Sequence, residues 1–246
     1  TSLKVDKTMP LLSIAAENRT PDSTYSPGAS RTNLCRWPIT FGSGNSNSIM
    51  VMHQGWFAND SSASLNAANS FVIVSESIEY NGVVVPVTYA GLRTKTINPG
   101  DVEVQSDGIF PAAFGVSEFT QNSVGYYKCD ILLPSDVATL MYTANRNTSH
   151  KTGSQAIYIN KTNTTIVNGV DSVGAFTTSG TAPTTANGQG YCPFFIGTFA
   201  NPDAIVYGVM GDSVMAFAVV WVVIWYSPRP SEPSARMKSP KAICGP

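Results

Sequence analysis

Gly211-Asp212-Ser213-Val214 is the one stretch of this sequence with the form of a nucleophile turn, because it follows directly on the apolar run Ala204 to Met210. A serine at the end of a buried strand can be presented at a tight turn, but it attacks only when a base takes its proton. The chain has two histidines, His53 and His150, both upstream of Ser213 and neither in an Asp-x-x-His pair. His53 stands beside Met52 and Gln54 and reads as a packed or surface residue, while His150 falls in the loop NRNTSHKTG. Glu76 with Glu79, and Asp101 with Glu103, are spaced as carboxylate pairs that could serve glycoside hydrolysis. The commoner reading of such residues on strands is an exposed carboxylate. Trp56, Phe57, Tyr80, Tyr89, Tyr126 and Tyr127 could stack on the apolar faces of sugars, although rings in such runs more often fill a core.

Cys35, Cys129, Cys192 and Cys244 lie far apart, with no Cys-x-x-Cys and no Cys/His cluster at metal-ligand spacing. No metal is therefore expected. No glycine loop ends in Lys-Ser/Thr, so no phosphate-binding loop and no cofactor are expected either. If the cysteines oxidise, all three pairings of four remain open. Asn-x-Ser/Thr sequons begin at Asn18, Asn59, Asn147, Asn160 and Asn163, a number that this abundance of Asn, Ser and Thr produces by chance.

The elements that would carry these residues are strands. In FVIVSESIEY, Val72, Val74, Ile78 and Tyr80 share one parity of a period-2 pattern, with Glu76 as the exception. Asn81-Gly82 follows, then Val83, Val85, Val87 and Tyr89 alternate with their neighbours, which predicts a hairpin over Phe71 to Ala90 with both turn residues at positive φ. Asn98-Pro99-Gly100-Asp101 predicts a type II turn, with a strand starting at Val102 and Val104. Tyr127, Cys129, Ile131 and Leu133 form the inward parity of another strand, and residues 143 to 190 read as surface hairpins with long loops. Further strands are expected at CPFFIGTF, DAIVYGVM and MAFAVVWVVIW. The last belongs to the longest apolar run, residues 214 to 226, which is too short for a membrane-spanning helix and too rich in Val, Ile and Trp to suggest one.

No segment sustains a 3.6-residue apolar period, so the expected fold is all-β: an antiparallel, jelly-roll-like β-sandwich over residues 49 to 226. Residues 1 to 48, broken by TPDSTYSPGAS and GSGNSNS, read as an extended N-terminal arm. Residues 227 to 246 read as a Pro-rich basic tail, in which Arg229, Arg236, Lys238 and Lys241 face one acidic residue, Glu232.

The passages GWFANDSSAS, IEYNGVVVPVTYAG, TINPGDVEVQSDGI and DAIVYGVMGDS, spread over roughly residues 50 to 213, resemble bacterial and phage SGNH (GDSL-type) hydrolases that carry a β-sandwich ahead of their catalytic module. The resemblance implies the sandwich, and it maps Ser213 onto the family nucleophile. The family pattern also needs an Asn donor and an Asp-x-x-His pair downstream. The 33 residues after Ser213 contain neither His nor Asn, and the apolar run that follows it departs from the family's polar, Gly-containing loop.

With 246 residues and 43% apolar content the chain can bury a large core, while only 13% of it is charged and Ser and Thr make up about a fifth. A net charge of -1 provides no field to hold a nucleic-acid backbone. These features suit a non-enzymatic structural or attachment protein that packs against copies of itself, as a phage capsid, decoration or tail protein does in the virion. The expected partners are its own copies, other virion proteins or a surface glycan, in a virion or extracellular setting, without nucleic acid bound to the main domain and without a membrane. The enzymatic alternative is an SGNH-type esterase or deacetylase using Ser213. A third reading is a carbohydrate-binding accessory module with aromatic contacts in the 143 to 190 loops.

Overall fold

At Asn81 and Gly82 the chain reverses with φ of 51° and 73°, and Tyr80 pairs directly with Val83 across a two-residue turn. Positive φ at both positions gives the turn the twist of the flanking strands. The hairpin predicted from Asn-Gly is therefore present, with strands Phe71–Tyr80 and Val83–Pro86. The second predicted turn is present as well: Gly100 has φ 83°, and the Asp101 amide donates to the Asn98 carbonyl at 3.1 Å.

A computed structural model of the chain describes residues 12–14, 23–29, 31–41, 45–58, 64–144, 155–159, 161–185, 189–191 and 193–199. The expected strands within 204 to 226, the Gly211-Asp212-Ser213 turn, His150, Cys192, Cys244 and the tail 227 to 246 lie outside the described residues. Every strand pairing among the described residues is antiparallel.

The molecule is an antiparallel β-sandwich. The larger sheet runs in the order Thr184–Thr185, Gln155–Ile159, Thr32–Thr40, Val124–Leu132, Phe71–Tyr80 and Val83–Pro86, with Lys95–Ile97 also paired to Phe71–Tyr80. The smaller runs Leu12–Ile14, Phe194–Phe199, Ser46–His53 and Val104–Gln105. Between them lies the main core, where Ile49, Val51 and Phe195 of the small sheet meet Ile73, Tyr127 and Ile131 of the large one. The Tyr127 and Phe195 rings cross edge to face at 5.5 Å. Tyr127, Cys129, Ile131 and Leu133 are all fully buried, as their shared parity predicts.

Two expectations are corrected. Thr32–Thr40, placed by sequence in the extended arm, is an interior strand paired to Val124–Leu132 on one side and Gln155–Ile159 on the other. The parity of Phe71–Tyr80 also changes along its length. Ile73 pairs with Ile131 and Ser75 with Asp130, so Val74 is the extra residue of a β-bulge. Phe71 and Ile73 face the core before the bulge, and Glu76, Ile78 and Tyr80 after it; Val72 and Val74 are only half-buried.

The outer face of the large sheet is covered too. The hairpin Thr164–Asn168 and Thr177–Gly180 belongs to the region read as surface loops, yet its connection buries Val170 and Phe176 against Leu34, Ile157 and Ile159 in a second apolar cluster. Polar keys fix the connection: Ser77 Oγ donates to the Val170 carbonyl, Lys128 Nζ to the Ser172 carbonyl, and the Gly174 amide to both Glu79 oxygens at 3.1 Å.

Candidate functional site

Ile49, Val51 and His53 share the inward parity of Ser46–His53, which delivers the imidazole into the main core at the end of that strand. From the opposite sheet the bulge at Val74 turns Glu76 toward it. His53 Nε2 donates to the Glu76 carboxylate at 3.1 Å and 3.3 Å, so the facing sheets are joined by a histidine–carboxylate bond with both side chains fully buried. The Tyr127 hydroxyl donates to the same carboxylate at 2.7 Å, and the Tyr89 hydroxyl donates to its other oxygen. On the far side of the ring, Nδ1 meets the Tyr191 hydroxyl at 2.6 Å, and the two rings stack at 5.5 Å with an interplanar angle of 11°. With Nε2 carrying the proton, Nδ1 is the acceptor for Tyr191.

Burial sets the electrostatics. It pushes the Tyr89 phenol far above its usual range, reinforced by the neighbouring Glu76 charge. Tyr127 is raised in the same direction, by burial first and then by Cys129 and Glu76. Both phenols stay protonated donors to the carboxylate. Three charge-assisted donors converge on Glu76, which is how a protein holds a carboxylate out of water.

The order carboxylate, imidazole, hydroxyl has the connectivity of a hydrolytic triad, but its hydroxyl is the buried phenol of Tyr191 rather than an exposed serine. General acid–base work needs contact with a substrate. With His53, Glu76, Tyr127 and Tyr191 all at 0% exposure, the cluster ties the sheets together and presents no reacting atom at the surface.

The sequence-derived candidates separate accordingly. Glu76 and Glu79, read as exposed carboxylates, are both buried, and on opposite faces of the sheet. Glu79 Oε2 lies 2.6 Å from Lys128 Nζ and 3.9 Å from Arg36, under the covering hairpin. Burial lowers the Lys128 pKa while Glu79 opposes that shift. Asp101 caps its own turn by accepting from the Asn98 amide at 2.7 Å, and Glu103 accepts from Gln105. Tyr80, Tyr89 and Tyr127 are core residues, whereas Tyr126 lies on the other face beneath the Arg36 guanidinium at 3.4 Å from the ring centroid. Phe57 packs against that core and Trp56 is half-buried on the short strand Trp56–Ala58, so the six aromatics, with Tyr126 on the opposite face of the sheet, form no shared platform. Tyr191 and the inward turn of Glu76 were missed by sequence reasoning; the bulge leaves no composition signal. Among the described residues no group of three or more His, Cys, Asp or Glu is placed to hold a metal, and no helix is long and apolar enough to cross a membrane.

A comparison of the chain with models of known protein families and with curated proteins finds no match to either.

Proposed function

We propose that this chain is a non-enzymatic β-sandwich that acts by self-assembly or surface attachment, as a virion component such as a phage capsid, decoration or tail protein. One observation carries the reading: the buried charged side chains of the sandwich are committed to partners within the chain, while several large apolar ones project outward. Glu76 bonds His53, Glu79 bonds Lys128, and Asp130 bonds Lys161 at 2.9 Å. Val137, Val102, Leu92 and Phe110 are 86%, 71%, 68% and 60% exposed. A chain that is only 13% charged and rich in Ser and Thr, with large apolar side chains left at its surface, suits packing against other protein surfaces. The expected partners are copies of the chain or neighbouring virion proteins, with a surface glycan as the attachment target.

The esterase alternative, which follows from the resemblance to SGNH hydrolases, is disfavoured by His53. Both its ring nitrogens are engaged in the core, which leaves His150 as the other histidine available as a base for Ser213. Hydrolysis of short acyl esters by the wild-type chain and by Ser213→Ala tests the point. Neither chain should exceed the buffer rate; turnover that disappears on that one substitution would overturn the non-enzymatic reading.

A further inference from the structure

Cys35 and Cys129 face each other directly across the two innermost long strands of the large sheet. Both thiols are fully buried and free, and both belong to the main core. The hydrogen-bond pattern fixes the type of pair. Phe41 donates to the Ser123 carbonyl at one end of this strand pair and Leu133 to the Arg31 carbonyl at the other, each an even number of positions from Cys35 and Cys129. The cysteines therefore form a hydrogen-bonded pair, in which opposed Cα atoms lie about 5.5 Å apart, within the disulfide range of roughly 4.4–6.8 Å. Closing a bond would draw the Cβ atoms inward from about 5.5 Å, the far end of the range for opposed residues, to about 4 Å, a contraction of about 1.5 Å shared between two strands.

We propose that Cys35 and Cys129 are a disulfide site, a covalent cross-strand staple installed by exchange with a small-molecule disulfide while the sandwich is closing. One cysteine thiolate attacks a sulfur of the small disulfide, forming a mixed disulfide and releasing one small thiolate. The second cysteine thiolate then attacks the protein sulfur of that mixed disulfide, closing Cys35–Cys129 and releasing the other. The small disulfide is reduced to two thiols, which take up the two cysteine protons, and the cysteine pair is oxidised.

The timing follows from burial. Exchange needs a thiolate and access to it, and the folded core denies both: burial, with Cys35 adjoining, pushes the Cys129 thiol well above its usual range. The folded reduced chain should thus resist exchange, and the finished bond should resist reductants until the sandwich opens. The staple would close a long loop from residue 35 to residue 129, so its stabilising effect on the folded state should be large.

The test refolds the full chain from denaturant in a mixture of oxidised and reduced glutathione, alkylates remaining thiols, and maps proteolytic peptides by mass spectrometry. The expected product is a peptide pair joined through Cys35 and Cys129, lighter by two hydrogens than the separate peptides. Its thermal midpoint should exceed that of the chain refolded under reductant by on the order of 10 °C. The already folded, reduced chain should form the bond at least tenfold more slowly in the same buffer. Alkylation of both Cys35 and Cys129 after oxidative refolding, or their linkage to Cys192 or Cys244 instead, would overturn the proposal. So would an oxidised chain no more stable than the reduced one. A Cys35→Ala, Cys129→Ala double variant, which requires no thiol for folding, should show no redox-dependent midpoint; an unchanged redox shift in it would also count against the site.

Discussion

His53 is a single side chain that bridges the two sheets within their shared core, bonding Glu76 through one ring nitrogen and Tyr191 through the other. Replacing it with leucine would leave a buried carboxylate one donor short and would remove the Nδ1 contact of a buried phenol. His53→Leu should lower stability by about 3 kcal/mol, read as a shift of the urea midpoint. A change under about 1 kcal/mol would mean that the network adds little. The phenols give a second residue-scale test. Tyr89 and Tyr127 keep their protons in the fold well above pH 10, near which the tyrosines of an unfolded chain ionise. Because the folded pKa is raised, the stability they contribute is complete below pH 10 and is lost as pH climbs above it, at about 1.4 kcal/mol per pH unit for each group. Urea midpoints measured at pH 9, 10 and 11 should fall in that sense, and Tyr89→Phe should lessen the slope. A flat profile would place those phenols in water.

At the scale of the element, turns were legible and parity only partly so. Asn81-Gly82 announced its hairpin because few residue pairs accept positive φ at both positions. A Cβ added at Gly82 would meet nothing within 4 Å, so Gly82→Val tests conformation alone and should cost about 1–2 kcal/mol in thermal or urea unfolding. An unchanged midpoint would place the turn elsewhere. The Phe71–Tyr80 strand was found, but its bulge was not, since a period-2 pattern read from one end assigns the wrong face beyond an extra residue. Thr32–Thr40 was missed for another reason: the breaker-rich stretches TPDSTYSPGAS and GSGNSNS flank it and made the whole of residues 1 to 48 read as an arm, and a proline, Pro38, lies within it. Among the described residues Gln155–Ile159 pairs with Thr32–Thr40 only as far as Arg36, two positions short of Pro38. The bulge makes a sharp prediction. Deleting Val74 restores regular alternation with Ile73 and Glu76 both inward, and that variant should fold with a loss of no more than about 2 kcal/mol. Deleting Ser77 reverses Ile78 and Tyr80 relative to Glu76 and should abolish the cooperative unfolding transition. Equal tolerance of both deletions would refute the register.

At the scale of the whole molecule, the strand-rich pattern and the absence of a helical period were enough to reach an antiparallel sandwich, because fold class depends on periodicity summed over the chain. The buried cluster was not legible, because Glu76, His53 and Tyr191 come from distant stretches and meet only once two sheets face each other. The sandwich commits its described histidine and its buried carboxylates to partners within itself, and it leaves valine, leucine and phenylalanine side chains exposed, which is the basis of the assembly proposal. Self-assembly is the central claim. Sedimentation velocity of the purified full chain, followed over a hundredfold range of concentration, tests it most directly. The account predicts a discrete particle many chain masses in size that grows in population as concentration rises, whereas a single species of one chain mass over the whole range would contradict it.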